Sequence, residues 1–456
     1  MPDKARKDIV RQGEIGTYHC WSRCVQRAFL CGYDAVTGTD FNYRRAWMEG
    51  LLEYQAGVFA IDVGSYNILS NHTHAVLRTR PDIAQAWTAE EVAWRWKKAW
   101  PHFDGNQWTR DPTAQEVLEL LTQPEKIAEI RENLSSLSWF MARWKEPIAR
   151  ACNAEMETTG HFWEARFKCR ELLDEAAVLT CSMYVDLNQV KAGQASSLID
   201  SEHSSIRRRI LAAKQREAEE SRQAFACAER SEDYAFPAST AFGLFEDCWL
   251  SPIDQDGPLI TGEATRLTPQ IRMRVREDTD AMDQDRNATE PRSAVASRPE
   301  ISDSDGAPAP PRGASPAHPH GTGPAAARLN TPQVEPTGTV RRRASDAPYI
   351  GVPWREYLRV LEGLVALMVV GGMTPEETDV GSAVLEDLAE TLLNWGLNPK
   401  PWVAHLQDMA VRCHHLLGHA ELVESRAQQD AQRCYYGITF CRDVFGSPKP
   451  TSAEFP

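Results

Sequence analysis

The chain has 456 residues, 42% of them apolar, and a formal charge of −14. That length allows two or three domains with real cores, and the negative balance excludes a protein that coats nucleic acid without specificity. The acidity is uneven: residues 1–200 hold 23 Lys and Arg against 27 Asp and Glu, and the remainder 27 against 37. Basic clusters in the first half are therefore able to form a local phosphate-binding surface. The eleven cysteines include no C-x-x-C pair. No run approaches the roughly 18 apolar residues of a membrane span. The expectation is a reduced, cytoplasmic protein without a membrane segment, in which Cys20, Cys24 and Cys31 are buried or incidental thiols.

In chain order, "GTYHCWSRCVQRAFLCG" from residue 16 predicts a strand followed by a loop. "YRRAWMEGLLEYQAGVFAID" predicts a helix turning into a second strand, and "GVFAIDVGSYNILSNHTHAVLRT" a strand pair around Ser70 and Asn71. From about 81 to 151 the chain reads as helical and rich in tryptophan; ten of the fourteen Trp lie at or before Trp163. "LLDEAAVLTCSMYVDLNQVKAG" reads as one long helix, with Gly193 at the position of a left-handed C-cap. Residues 205–232 predict a charged, largely solvated helix.

The pattern collapses between 284 and 348. Residues 291–340 contain ten prolines, and such a segment buries too little apolar area to offset its ordering entropy. Helical patterns return after it: "PWREYLRVLEGLVALMVV", then "TPEETDVGSAVLEDLAETLLNWG" with an N-cap, N1 proline and capping box at Thr374, Pro375 and Glu377. "PWVAHLQDMAVRCHHLLG" and "ELVESRAQQDAQRCYYG" complete an expected bundle. The predicted layout is an α+β domain over 1–235 with a helical insertion at about 81–151, an extension at 236–283, a disordered linker at 284–348 and an all-α accessory domain at 349–446.

The chemistry concentrates in "NHTHAVLRTR". Residues i and i+2 of a strand share a face, so His72 and His74 present two imidazoles side by side, while Thr73 points away. Neutral imidazoles suit Mn²⁺ or Zn²⁺, and Mg²⁺ when oxygen ligands complete the shell. A bare surface pair is the plainer reading of the same pattern. Tyr184 and Asn188 lie four apart on one helix. A tyrosine attacks through its phenolate, a cation assists that attack, and an amide four residues on supplies an oxygen ligand. The plainer alternative for Tyr184 is a packed core tyrosine beside Met183 and Leu187.

"SNHTHAVLRTRPD", "GHFWEARFKCRELLDEAA", "YVDLNQVKAG" and the first-strand H-x-x-x-R of "GTYHCWSRC" together resemble single-tyrosine HUH transposases of the REP-associated branch, in the right order over about residues 14–210. The resemblance implies a ferredoxin-like fold with an antiparallel sheet and the two histidines on a central strand. It further implies a divalent cation, Mg²⁺ or Mn²⁺, on His72, His74 and Asn188, and attack by Tyr184 on a single-stranded or hairpin DNA phosphate to give a 5′-phosphotyrosine and a free 3′-OH. Arg23, Arg27, Arg166 and Lys168 are the candidate DNA contacts. A nucleoid-associated location and a homodimer are compatible with it. Two departures stand out: Thr73 replaces a large aliphatic, and Gln189 replaces the proline that usually follows the asparagine, which would let the helix run on for a turn. Two other functions fit parts of the pattern: a catalytically silent DNA-binding regulator that keeps the fold, and a metal-dependent hydrolase indifferent to Tyr184.

Overall fold

A computed structural model describes residues 8–25, 30–34, 38–103, 107–228, 245–253, 343–369, 379–406, 409, 415–430, 435 and 437–445. The sequence readings for Thr374 to Glu377, and for most of 236–283 and 284–348, lie outside the described residues.

The centre is a five-stranded sheet: β1 (Thr17–Arg23), β4 (Ile61–Ile68), β5 (His72–Thr79), β8 (Lys168–Leu172) and β9 (Leu416–Leu417), in the spatial order β4-β5-β1-β8-β9. Neighbours run antiparallel except β8 and β9. Two small hairpins, β2 (Tyr33–Asp34) with β3 (Thr39–Asp40) and β6 (His102–Phe103) with β7 (Trp108–Thr109), lie outside it. Mixed helices around an antiparallel-rich sheet make this an α+β fold.

Every residue of β4 is buried, as expected of a strand covered on both faces. The period-2 alternation sends Tyr18, Cys20, Ala75 and Leu77 into one core with α1 (Tyr43–Ala56) and α6 (Leu137–Glu155). The helical insertion expected at about 81–151 is the run α2 (Pro81–Ala86), α3 (Ala89–Lys98), α4 (Ala114–Leu121), α5 (Pro124–Leu134) and α6, ending on this face. Cys20, Cys24 and Cys31 are buried there and are not in disulfides.

Val76 and Leu172 point the opposite way, into a second core built around α7 (Glu175–Asp186). The long helix read through Gly193 is interrupted: α7 ends at Asp186, and a single turn, α8 (Asn188–Lys191), follows Leu187. Gly193 then takes the expected left-handed conformation, φ 66°. A further long helix, α9, spans Ser205–Ala228.

The helices of 349–446, expected as an accessory domain, share the second core: α10 (Trp354–Val369), α11 (Asp379–Asn394), α12 (Pro399–Leu406), α13 (Ala420–Gln429) and α14 (Ile438–Val444). The described residues before 254 and after 342 belong to one compact unit. The stretch from Pro401 to Gly418, expected as helix throughout, differs. Helix α12 is described to Leu406 and Met409 is again helical, but Leu416 and Leu417 pair with Glu171 and Leu172 as β9. Pairing with β8 satisfies that strand's outer backbone groups, and this tertiary gain overrides the local helical periodicity.

Candidate functional site

The site forms where α7 crosses the sheet face opposite α1. Register assembles it. Across β1 and β5, Arg23 lies opposite His72, Trp21 opposite His74 and His19 opposite Val76. Across β1 and β8, Arg170 lies opposite His19 and Lys168 opposite Trp21. Directly paired residues share a face, so one surface carries His19, Trp21, Arg23, His72, His74, Lys168 and Arg170.

Tyr184 descends onto this surface from α7. The His72 and His74 rings stand edge to face with centroids 5.1 Å apart, and Tyr184 meets His74 edge to face at 5.7 Å. His19 stacks on His74 at 5.1 Å and reaches Tyr184 at 6.0 Å. The sheet and helix thus bring together His72, His74 and Tyr184, a hundred residues apart in sequence. Asn188, at the start of α8, joins them: its amide pulls the His72 imidazole up and the Tyr184 phenol down. Its Nδ2 is buried with no hydrogen-bond partner among the described residues. Thr73, paired with Ser22 on the opposite face, is buried in the core as its alternation requires.

Burial governs the electrostatics. Tyr184, Asn188 and His74 are 7%, 6% and 5% exposed, and His72 is half-buried. Desolvation holds His74 well below the usual imidazole range, reinforced by His19 and His72. His72 is pushed down to about 4, first by burial and then by the Arg23 guanidinium, against the opposing pull of Asn188. His19 is lowered by burial and by Arg170. All three rings are therefore neutral, the state in which imidazole is a ligand. Burial raises the Tyr184 phenol, while Arg170, Asn188 and Arg23 work in the opposite direction.

Hydrogen bonds orient the two candidate ligands. His72 Nδ1 lies 2.6 Å from Asn71 Oδ1, and His74 Nδ1 lies 2.9 Å from His19 Nε2. Partners of this kind fix the orientation of ligating histidines. Among the described residues no group of three or more His, Cys, Asp or Glu is arranged to hold a metal ion. Two neutral imidazoles and one amide, whose oxygen is the ligating atom, nevertheless fit a divalent cation whose remaining positions are taken by water or phosphate oxygen.

Gln189 secures the α7–α8 junction. Its Nε2 donates to Asn67 Oδ1 at 2.8 Å and to the Glu202 carbonyl, and Asn67 Nδ2 donates to the Val185 carbonyl at 2.8 Å. Asn67 is the β4 partner of His74. The residue that departs from the proline pattern thus ties the turn carrying Asn188 to the strand beside His74, and the chain does run on for one turn past it.

Of the candidate DNA contacts, Arg23, Arg166 and Lys168 are exposed, and Arg27 lies outside the described residues. An isolated bridge between Cys24 and Trp163 carries the segment before β8 past the end of β1, so these three cations follow the same border of the sheet. Lys191 Nζ lies 5.4 Å from the Tyr184 ring centroid. His419, one of the C-terminal histidines, contacts Asp174 at 3.0 Å, away from the site.

Sequence reasoning missed His19 and Arg170 as site members. Their signal was present in the alternation of "GTYHCWSR" and "KCREL", which puts a histidine and an arginine on inward positions of buried strands.

No family model matches the chain, and no curated protein matches it. Among solved structures, a REP-associated tyrosine transposase bound to a REP hairpin is 12% identical over 46% of this chain and 84% of that one, with a TM-score of 0.26. A score of that size bears on neither fold nor activity. No helix among the described residues is long and apolar enough to cross a membrane.

Proposed function

We propose that the protein is a divalent-cation-dependent transposase or nickase of single-stranded DNA, with Tyr184 as nucleophile. The observation that carries this is the convergence of His72, His74, Tyr184 and Asn188 on one sheet face. The strand order β4-β5-β1-β8, with α1 and α6 on one face, supports the ferredoxin-like reading. Hairpin DNA as the substrate form comes from the sequence resemblance.

In the proposed reaction the Tyr184 oxygen bonds to phosphorus and the P–O3′ bond breaks. The phenol proton is released and the departing oxygen becomes a 3′-hydroxyl, leaving the 5′ side as a phosphotyrosine. A second 3′-hydroxyl reverses the step and joins strands without ATP. A bound Mg²⁺ or Mn²⁺ on His72, His74 and Asn188 would polarise the phosphate. The protein's own residues do the rest. The α7–sheet packing holds the phenol against His74, and Asn188 and the buried Arg170 charge both favour the phenolate. Arg23, Arg166 and Lys168 are the proposed phosphate contacts along the strand.

Incubation with single-stranded hairpin DNA and Mn²⁺ or Mg²⁺ should yield a covalent protein–DNA adduct that is absent for Tyr184→Phe. His72→Ala with His74→Ala should abolish cleavage and spare most DNA binding. An adduct formed by Tyr184→Phe would overturn the assignment. A silent DNA-binding regulator is the second reading, favoured by the deep burial of the phenol; hairpin binding with no adduct under either metal would select it.

A further inference from the structure

The two candidate ligand histidines are oriented by different kinds of partner. A neutral imidazole carries one N–H and one lone pair. The amide oxygen of Asn71 only accepts, so His72 Nδ1 bears the proton and Nε2 is left with its lone pair. His74 faces another imidazole, His19, whose Nε2 is able either to donate or to accept across 2.9 Å. If His19 donates, the His74 proton sits on Nε2 and that nitrogen cannot bind a cation. If His74 donates, its Nε2 is open, and the His19 proton sits on Nδ1. That Nδ1 is buried and has no hydrogen-bond partner among the described residues.

His19 is held tightly for this task. It is 1% exposed, stacked within 17° of parallel on His74, tilted against Trp21 at 5.1 Å and edge-on to Tyr184. Its ring cannot swing to another partner without displacing Trp21 or Tyr184.

We propose that His19 is the positioning residue of His74: it accepts the Nδ1 proton and thereby sets the tautomer in which His74 Nε2 is a metal ligand. This rests on the metal site of the proposed function and adds a residue that touches neither substrate nor cation. It makes the two ligands unequal. His72 is preset by Asn71, whereas His74 becomes a ligand only when the proton on His19 moves to the nitrogen that has no partner.

The test is Mn²⁺ affinity of the full-length protein, read from the free-Mn²⁺ electron paramagnetic resonance signal, with thermal unfolding recorded for each variant. His74→Ala should lose binding. His19→Ala should bind about 10- to 100-fold more weakly, the size of effect seen when such partners are removed. His19→Gln, whose side-chain oxygen also accepts, should restore affinity to within about threefold of wild type. Wild-type affinity in His19→Ala, with loss in His74→Ala, overturns the proposal; so does a folded His19→Gln as weak as His19→Ala. Unchanged affinity in His74→Ala overturns the metal reading beneath it. Should the alanine variant unfold, imidazole ¹⁵N spectra of the Zn²⁺-loaded wild type decide: both His19 and His74 should carry their proton on Nδ1, and a His74 protonated on Nε2 refutes the assignment.

Discussion

Lys145 shows how far single residues in this fold depart from their ordinary chemistry. Its Nζ is buried, lies 3.4 Å from the Trp163 ring centroid and has no hydrogen-bond partner among the described residues. Burial pushes the amine down to about 7, against the opposing influence of the Cys24, Cys31 and Cys20 thiols. A lysine whose pKa is lower folded than unfolded takes up its proton more readily when unfolded. The folded state is therefore penalised as pH falls from about 10.5 towards 7, and the penalty is complete below that range. Lys145→Met removes the charge and keeps the bulk. It should raise the urea midpoint, and by more at pH 6.5 than at pH 9. An equal gain at both pH values would show that the cation over Trp163 offsets its own desolvation. No sequence pattern announces this residue, because Lys145 occupies an ordinary helical position in "MARWKEPIAR".

At the scale of elements, α7 is the part on which the site depends, and it is held along its whole length by residues distant in sequence. Asp174 caps its N-terminus by accepting from Ala177 N, and the same carboxylate accepts from His419. Glu175 accepts from Gly351 N at 2.5 Å, Trp402 Nε1 donates to Thr180 Oγ1 at 3.0 Å, and Tyr357 donates to Asp186 at 2.6 Å. Thr180 is fully buried, so loss of its donor leaves an unsatisfied hydroxyl worth about 1–3 kcal/mol. Trp402→Phe should lower stability by at least that range in chemical denaturation. Adding Thr180→Val should recover part of the loss, and strictly additive losses would show that the two side chains are not coupled. The sequence made the helix and its His-x-His strand legible because both follow local periodicities. It did not reveal the break at Leu187 or strand β9. Gln189 bonding to Asn67, and the pairing of β8 with β9, are tertiary facts with no local signature. His19 was visible only as the first letter of a five-residue pattern, its place beside His74 hidden until β1 and β5 were in register.

For the whole molecule, the second core is common property of the sheet, α7 and the described C-terminal helices. Eleven consecutive residues of α7, Ala176 to Asp186, are buried. They can be buried on all sides only if something covers the face away from the sheet. Truncation after residue 284 should therefore yield insoluble or dye-binding protein rather than a free N-terminal domain. A soluble truncated protein with a cooperative thermal transition would show that the two parts fold independently. Deletion is thus a poor way to assign a role to the C-terminal helices; point changes at Tyr357 or Trp402 are the cleaner approach.

The two-residue strand β9 also sets a timetable. Leu416 and Leu417 close a sheet whose first strand begins at Thr17, so synthesis must pass residue 417 before the sheet has this edge. At roughly 5–20 residues per second, the Tyr184 helix waits on the order of 10–50 s with one face uncovered. The proposed nucleophile is therefore made early and held in place late, and a nascent or prematurely terminated chain carries the His-x-His strand without a framework that can hold Tyr184 against it.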